Sequence, residues 1–358
     1  MNPDPETSLK NFEASHPADH HLILTFDTFV CEIRSNSERV LDELRNYYRG
    51  FVSPEGIPFL KIIVLEGTPC DFDSIDFTPK QPDPGKNRIK EEYADFHFGR
   101  IVRKRLTGMY FVFGGGRHLA FGPALANYNQ VINFINNRYI EWRVNQGYLL
   151  AHASGLEWKN QGVAFAGFSG MGKSTLALHL LSRGGKFVSN DRLLIKKNSS
   201  RIHMLGIPKL PRINPGTALN NPNLDKVIPA LERSRFLGLS PEELWILEHK
   251  YDVFIDECFG PERFSLATHL DMVVILNWDR RSRKPRIQRV ELSQRPDLLQ
   301  AFMKSLGLFY ECHEEESPPD FLESNYLDHL NGARIVEISG GVDFEWAAGE
   351  LIQWIEQT

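Results

Sequence analysis

Short apolar stretches alternate with polar punctuation from residue 22 onward, and their spacing predicts a mixed α/β chain. Leu22 to Ile33 (LILTFDTFVCEI), with Thr, Phe and Val prominent, predicts a strand. From Ser37 to Tyr48 the apolar positions Val40, Leu41, Leu44 and Tyr48 share one side of a helix, with Ser37 placed as its N-cap. Phe59 to Leu65 predicts another strand, and Gly67 to Asn87, rich in Pro and Asp, a long loop. Ile101 to Leu106 and Met109 to Phe113 predict two more strands. Gly114-Gly115-Gly116-Arg117 then reads as a hairpin turn into His118–Phe121 rather than an anion cradle, because β-like residues flank it on both sides. Ala124 to Asn145 is a helix by the recurrence of Val131, Ile132, Phe134, Ile135, Tyr139 and Trp142. Residues 1–21 show no such pattern and predict a flexible tail.

A second unit begins near residue 146. Leu149 to Ala153 is β-like, and a strand at 162–166 (GVAFA) runs into a glycine-rich segment. A helix from Ser174 to Ser182 ends at Arg183-Gly184-Gly185. Lys186 to Ser189 is a short strand delivering Asn190-Asp191. Leu193–Lys197 and Arg201–Leu205 flank Asn198-Ser199-Ser200, a hairpin signature. Gly206 to Pro229 is Pro- and Asn-rich without period, and reads as a long loop. Strands at 251–255, 272–277 and 334–338 and helices at 296–306 and 344–355 complete the reading. The domains expected are thus a tail (1–21), an α+β domain of unknown role (22–145) and a P-loop α/β domain (146–358).

The candidate chemistry centres on residues 167–175. Gly167, Phe168, Ser169, Gly170, Met171, Gly172, Lys173, Ser174 and Thr175 contain G-x-x-x-x-G-K-[ST], between a predicted strand and a predicted helix. Glycines let the backbone wrap an anion, and loop N–H groups with the helix N-terminus face phosphate oxygens. Lys173 is placed to reach the β/γ-phosphates and Ser174 to bind Mg²⁺, so ATP and Mg²⁺ are the expected cofactors. Phosphoryl transfer also needs an acid for metal or proton. Asp191, at a strand end, is the first candidate, against a reading of Asn190-Asp191 as a turn. Asp279, after the 272–277 strand, is a rival, although Trp278-Asp279-Arg280-Arg281 reads as a solvated turn. His152 alone reads as a polar strand residue. Lys209 and Arg212, in PKLPRINPGT, are candidate cations for transition-state charge or acceptor contact, and Asn190 is a further candidate for such a contact.

Composition narrows the partners. A formal net charge of −5 over 358 residues argues against non-specific nucleic-acid binding. No apolar run has membrane-spanning length, and the polar, acidic N-terminus lacks a signal-peptide pattern, so a cytoplasmic protein is expected. Cys31, Cys70, Cys258 and Cys312 lie far apart and read as isolated reduced thiols. A homo-oligomer is compatible with the sequence, which does not name the phosphoacceptor.

From Ala151 to about Ile195 the chain resembles the C-terminal kinase domain of HPr kinase/phosphorylase. The resemblance rests on His152 before the loop, Gly167–Ser174, Arg183-Gly184 after the helix, and Asn190-Asp191 at the next strand end. Over its length the chain looks most like the HPr-kinase-related kinase B group. The resemblance implies an ATP-binding fold shared with phosphoenolpyruvate carboxykinases. It also implies a serine-kinase-like phosphotransferase, with Asp191 and His152 in acid–base chemistry and metal binding around the phosphates. Two departures stand out: Asn190 replaces the first acid of the family's pair, and Ile207–Thr217 stands where a Glu-x-Arg-Gly signature is expected. The leading expectation is a kinase transferring the γ-phosphoryl group of ATP to a hydroxyl, in a serine of a protein or in a small molecule. An ATP-gated regulatory module and a carboxykinase-like enzyme are the alternatives.

Overall fold

Phe29–Ser35 buries every second residue, as a strand with one face on a core must. It is the second arm of a hairpin, His20–Phe26 (β1) and Phe29–Ser35 (β2), paired from His20↔Ser35 to Phe26↔Phe29. The single strand expected over 22–33 is therefore two, because Asp27 takes φ 55° and reverses the chain. The computed structural model describes residues 4–357 apart from 55, 70, 71, 73, 74, 83–87, 248, 280, 283 and 311–319. Cys70, Cys312, Arg280 and parts of the expected 67–87 loop lie outside the described residues. Cys31 and Cys258 are free thiols.

The chain divides into two units, Met1–Trp142 with Leu306–Pro318, and Arg143–Ser305 with Pro319–Thr358. In the first, the residues expected as a tail instead form a helix, Pro5–Ser15 (α1), capped by Asp4 and burying Leu9 and Phe12. Those two side chains join Leu65, Ile101, Val112 and Phe121 in one core, which is what holds the segment. Glu38–Tyr47 (α2) starts as expected at Ser37, whose hydroxyl accepts from Val40 N.

The remaining strands of this unit are Leu60–Glu66 (β3), Thr78–Pro79 (β4), Glu91–Phe96 (β5), Gly99–Lys104 (β6), Tyr110–Gly114 (β7) and Arg117–Gly122 (β8). They make an eight-stranded sheet in the order β1-β2-β3-β8-β7-β6-β5-β4. The β7–β8 connection is the expected hairpin, with Gly115 and Gly116 at φ 55° and 77°. β5 escaped the sequence reading, since half of EEYADF is charged and it packs from an outer position of the sheet. Tyr128–Val144 (α3) follows. Tyr48, on the α2 side, donates through its hydroxyl to Asn136 Oδ1 at 3.0 Å on α3. The return of 306–310 to this unit has a cause: Phe309 packs on Phe111, Phe113 and Phe134, and Arg138 donates to its carbonyl.

The second unit holds a nine-stranded mixed sheet. Its strands are Leu149–Ala151 (β9), Ala153–Trp158 (β10), Gln161–Ala166 (β11), Lys186–Ser189 (β12), Leu193–Asn198 (β13), Arg201–Gly206 (β14), Ala267–Trp278 (β17), Pro285–Arg289 (β18) and Arg334–Gly340 (β19). A separate two-stranded ladder joins Arg212–Ile213 (β15) to Tyr251–Asp252 (β16), so the strand expected over 251–255 is only its first two residues. β11, β17 and β19 run parallel, and β10 lies antiparallel between β11 and β12. The C-terminal ends of β11 and β12 therefore sit at one edge of the sheet, beside the start of β10.

Lys173–Ser182 (α4) and Phe344–Glu356 (α11) bury their apolar sides on one face, in a core with Val163, Phe165, Val274 and Ile338. Pro296–Phe302 (α9) and Glu323–Leu330 (α10) cover the other face, with Ala164, Ala166, Val273 and Ile275. The segment expected as a loop over 206–229 is folded, into β15, Pro215–Leu219 (α5) and a 3₁₀ turn at Pro222–Val227. Ala230–Leu237 (α6), Pro241–Ile246 (α7) and Ile255–Phe259 (α8) follow. Its short elements hide from periodicity, but Ile213, Ala218, Leu224 and Phe236 are all buried. Among the described residues, no helix is long and apolar enough to cross a membrane.

Candidate functional site

β11 ends at Ala166 and α4 begins at Lys173, so residues 167–172 are a loop between a strand and a helix. Its glycines are forced by geometry at two positions. Gly172 takes φ 84°, and a Cβ there would lie 2.5 Å from the Phe344 ring. Gly170 takes φ 82° in open space. Gly172 is the N-cap of α4 and offers no side-chain cap, so no side chain closes off the first N–H groups of the helix. Trp278 holds the loop from below: its indole N–H donates to Met171 O at 2.9 Å, and its ring meets Phe344 edge-on at 4.9 Å.

Lys173 is buried, and its ammonium donates to Gly167 O at 2.8 Å, bending back over the loop. Burial lowers its pKa from the ordinary lysine value and Lys304 adds to this, while the charge of Asp191 opposes them. Ser174 and Thr175 open the first turn of α4, with Thr175 Oγ1 2.9 Å from Thr217 Oγ1 on α5. Phe168, Ser169 and Gly170 are exposed at the loop tip.

The residues after β12 come to the same sheet edge. His152 occupies the break between β9 and β10, held by its N–H on Phe302 O, and its Nε2 lies 3.4 Å from Asp191 Oδ1. Desolvation pushes the Asp191 carboxyl up, but the hydrogen bond and charge of His152, with Arg192 and Lys173, outweigh it and hold the pKa well below the usual carboxylate range. Two serines fix this turn. Buried Ser154 donates through its hydroxyl to Asn190 O. Ser189 Oγ donates to Arg192 O at 2.5 Å and accepts from Ile207 N at 3.1 Å. Asn190 Oδ1 is buried with no hydrogen-bond partner among the described residues.

Gly206 packs its backbone so closely on β12 that a Cβ would fall 2.0 Å from Val188 O, and this brings Ile207–Lys209 beside the Asp191 turn. Burial lowers the Lys209 pKa; Arg192 and Arg212 lower it further, and Asp191 and Asp252 raise it. Arg212 Nε makes an ion pair with Asp252 Oδ1 at 3.2 Å across the β15–β16 ladder. Asp279 follows Trp278 at the end of β17 and is exposed, its carboxylate accepting from Arg281 N at 3.0 Å.

The structure thus brings together Gly167–Thr175, His152, Asn190, Asp191 and Lys209 on one edge of the sheet. Ser174 and Asp191 carry oxygen atoms of the kind that a hard cation could take, whereas no group of three or more His, Cys, Asp or Glu that could hold a metal ion occurs among the described residues. Ser154, Ser189, Trp278 and Phe344 support the site and went unread in the sequence. Each is an ordinary residue on a distant element. Only Trp278, an aromatic just past an apolar strand, carried a signal.

No protein-family model matches the chain, and no curated protein sequence matches it. Among solved structures, the Hpr(Ser) kinase/phosphatase from Coxiella burnetii is similar over 57% of this chain and 95% of its own, with 12% identity and a TM-score of 0.31. That is a distant likeness to a kinase/phosphatase, in an α/β chain with several sheets.

Proposed function

We propose that this protein is an ATP- and Mg²⁺-dependent phosphotransferase acting on a hydroxyl group. The observation that carries the reading is the His152–Asp191 pair at 3.4 Å, standing at the same sheet edge as the glycine loop and Lys173. The residue-by-residue resemblance of 151–195 to HPr kinase/phosphorylase supports the same assignment. In the reading, loop N–H groups and the α4 N-terminus bind the phosphates, and Lys173 releases Gly167 O to contact the β/γ-oxygens. Ser174 and Asp191 would hold Mg²⁺, which supplies charge neutralisation between the phosphates when bound.

Asp191 stays ionised near neutral pH and accepts a hydrogen bond from the acceptor hydroxyl, with His152 fixing its orientation. As the acceptor oxygen bonds to the γ-phosphorus, the bond to the β-phosphate oxygen breaks and ADP leaves. The hydroxyl proton passes to Asp191 and then to solvent. A carboxylate with so low a pKa is a weak base, which suits a loose transition state where the proton moves late.

Asn190 in place of an acid favours a second reading, an ATP-gated module with little transfer. Incubation with γ-labelled ATP and cell extract separates the two, because a phosphotransferase labels an acceptor and a gated module does not. Lys173→Ala and Asp191→Ala should each abolish that labelling; full labelling by the Asp191 variant would remove Asp191 from the mechanism.

A further inference from the structure

β17 runs parallel beside β11, the strand that ends in the glycine loop. Leu276 and Trp278 both touch that loop: a Cβ at Gly167 would lie 3.1 Å from Leu276 O, and the Trp278 indole donates to Met171 O at 2.9 Å. Asn277 stands between them. Leu276 and Trp278 belong to the core on the α4 face and Ile275 to the core on the other, so strand alternation sends the Asn277 side chain to the α9 side of the sheet. It is exposed there, at the edge that also carries Lys173 and the His152–Asp191 pair.

The Asn277 amide is held in one direction. Its Nδ2 donates to Glu337 Oε1 at 2.7 Å, across the ladder on β19. Glu337 is a buried carboxylate, ion-paired with Arg295 at 3.2 Å, and a carboxylate only accepts, so this arm of the amide must be the NH₂. Glu337 is satisfied without Asn277: Oε1 also accepts from Arg295 at 3.3 Å, and Oε2 from Gln288 at 2.9 Å and from Arg295 at 3.2 Å. What the bond fixes is therefore Asn277. With Nδ2 turned to β19, Oδ1 turns away from it, on the side of β11, and accepts from no described residue.

Beside a triphosphate, a lone acceptor has a restricted choice of partner. Phosphate oxygens are themselves acceptors, so Oδ1 cannot bond to them. The donors that accompany a triphosphate are the waters of its Mg²⁺, an ion that dehydrates reluctantly and takes one or two carboxylates alongside the phosphates. Among the described residues no group of three or more His, Cys, Asp or Glu could hold a metal ion. Waters would then complete the shell that Ser174 and Asp191 begin, and those waters need acceptors. Resting on the phosphotransferase reading above, we infer that Asn277 Oδ1 accepts a hydrogen bond from a water of the nucleotide-bound Mg²⁺, with Glu337 as the residue that positions it.

The test is calorimetry of a non-hydrolysable ATP analogue on the full chain, with Mg²⁺ and with EDTA. In the parent, Mg²⁺ should tighten binding. Asn277→Ala, folded by circular dichroism, should lose about tenfold of that gain, one charge-assisted hydrogen bond, and should bind the metal-free analogue as the parent does. Glu337→Gln should lose part of the same gain, since a glutamine no longer dictates which way the amide lies. Asp279→Asn, at the exposed carboxylate two residues on, should keep the gain in full. The inference is overturned if Asn277→Ala keeps the parent's gain, or loses affinity equally with and without Mg²⁺, as a merely structural asparagine would. A loss in Asp279→Asn instead would move the water contact to that carboxylate, and a full gain in Glu337→Gln would remove Glu337 as the positioning residue. Binding by the parent that is indifferent to Mg²⁺ removes this inference and leaves nucleotide binding standing. An analogue that the parent does not bind at all removes the phosphotransferase reading together with this one.

Discussion

Gly172→Ala should be far more damaging than Gly170→Ala, although both glycines belong to the same loop and have nearly the same φ, 84° and 82°. At either position an L-residue in the left-handed region costs about 1–2 kcal/mol. The difference lies in the space around the added methyl. At Gly170 nothing lies within 4 Å, whereas at Gly172 the Phe344 ring carbons lie at 2.5 and 2.6 Å. That ring cannot swing aside freely, because it meets Trp278 edge-on at 4.9 Å and stacks on His179 at 5.9 Å. Overpacking of this kind costs about 1–3 kcal/mol, so Gly172→Ala should lose about 2–5 kcal/mol in all. In a unit of this size each kcal/mol lowers Tm by about 2–4 °C. The assay is urea and thermal unfolding of both variants, alone and combined with Phe344→Ala. The cycle should return a coupling of about 1–3 kcal/mol for the 172–344 pair, since removing the ring removes the clash. Equal losses at 170 and 172, or an additive cycle, would refute the assignment of Phe344 as the wall behind the loop.

Ser154→Ala should cost about 1–3 kcal/mol, by leaving the carbonyl of Asn190 without its donor, and should lower kcat while leaving the KM for ATP unchanged. Steady-state kinetics with nucleotide varied gives the split, and an unchanged kcat removes Ser154 as a positioning residue. Burial, aided by Glu257 and Asp256, pushes the Cys258 thiol up to about 11, so only about one thiol in a thousand is thiolate at pH 8. Peptide mass mapping should show slow iodoacetamide labelling in the folded chain and fast labelling in urea; equal rates would contradict the burial argument. Glu337 is buried, which raises its carboxyl, but hydrogen bonds from Asn277, Arg295 and Gln288 prevail and hold its pKa below 4.5. A depressed carboxyl contributes stability that is present above the unfolded pKa and is lost as pH falls through the folded one. Glu337→Gln should therefore cost about 2–3 kcal/mol at neutral pH and flatten the fall of Tm below about pH 5; parallel Tm–pH curves would disprove it.

What could be read ahead of the structure tracks how local each signal is. The glycine loop at 167–172 is contiguous with Lys173 and Ser174, and together they announce their backbone needs in one short string. α2 and its Ser37 cap are likewise local, and so is the β7–β8 turn. Tertiary burial decided the cases that failed. α1 has weak periodicity and is fixed by two side chains, Leu9 and Phe12, in a core built from strands far along the chain. β5 is charged at half of its positions and is specified by pairing with β6, whose Lys104 and Arg103 meet its Glu91 and Glu92. The 206–229 segment is held by scattered single residues such as Ile213 and Leu224, each on an element too short to show a period.

The site divides along the same line. His152 and Asp191 come together because β10 runs antiparallel between β11 and β12, a pairing that no local pattern encodes. A family resemblance could suggest the pair; only the sheet order explains it. The same geometry bears on Asn190. Its backbone carbonyl is held by Ser154 while its side-chain oxygen is buried without a partner among the described residues, so the position keeps an oxygen and gives up a proton acceptor. An amide there can still orient or ligate, but it cannot share the proton. In the phosphotransferase proposed above, proton transfer would therefore fall to Asp191 alone.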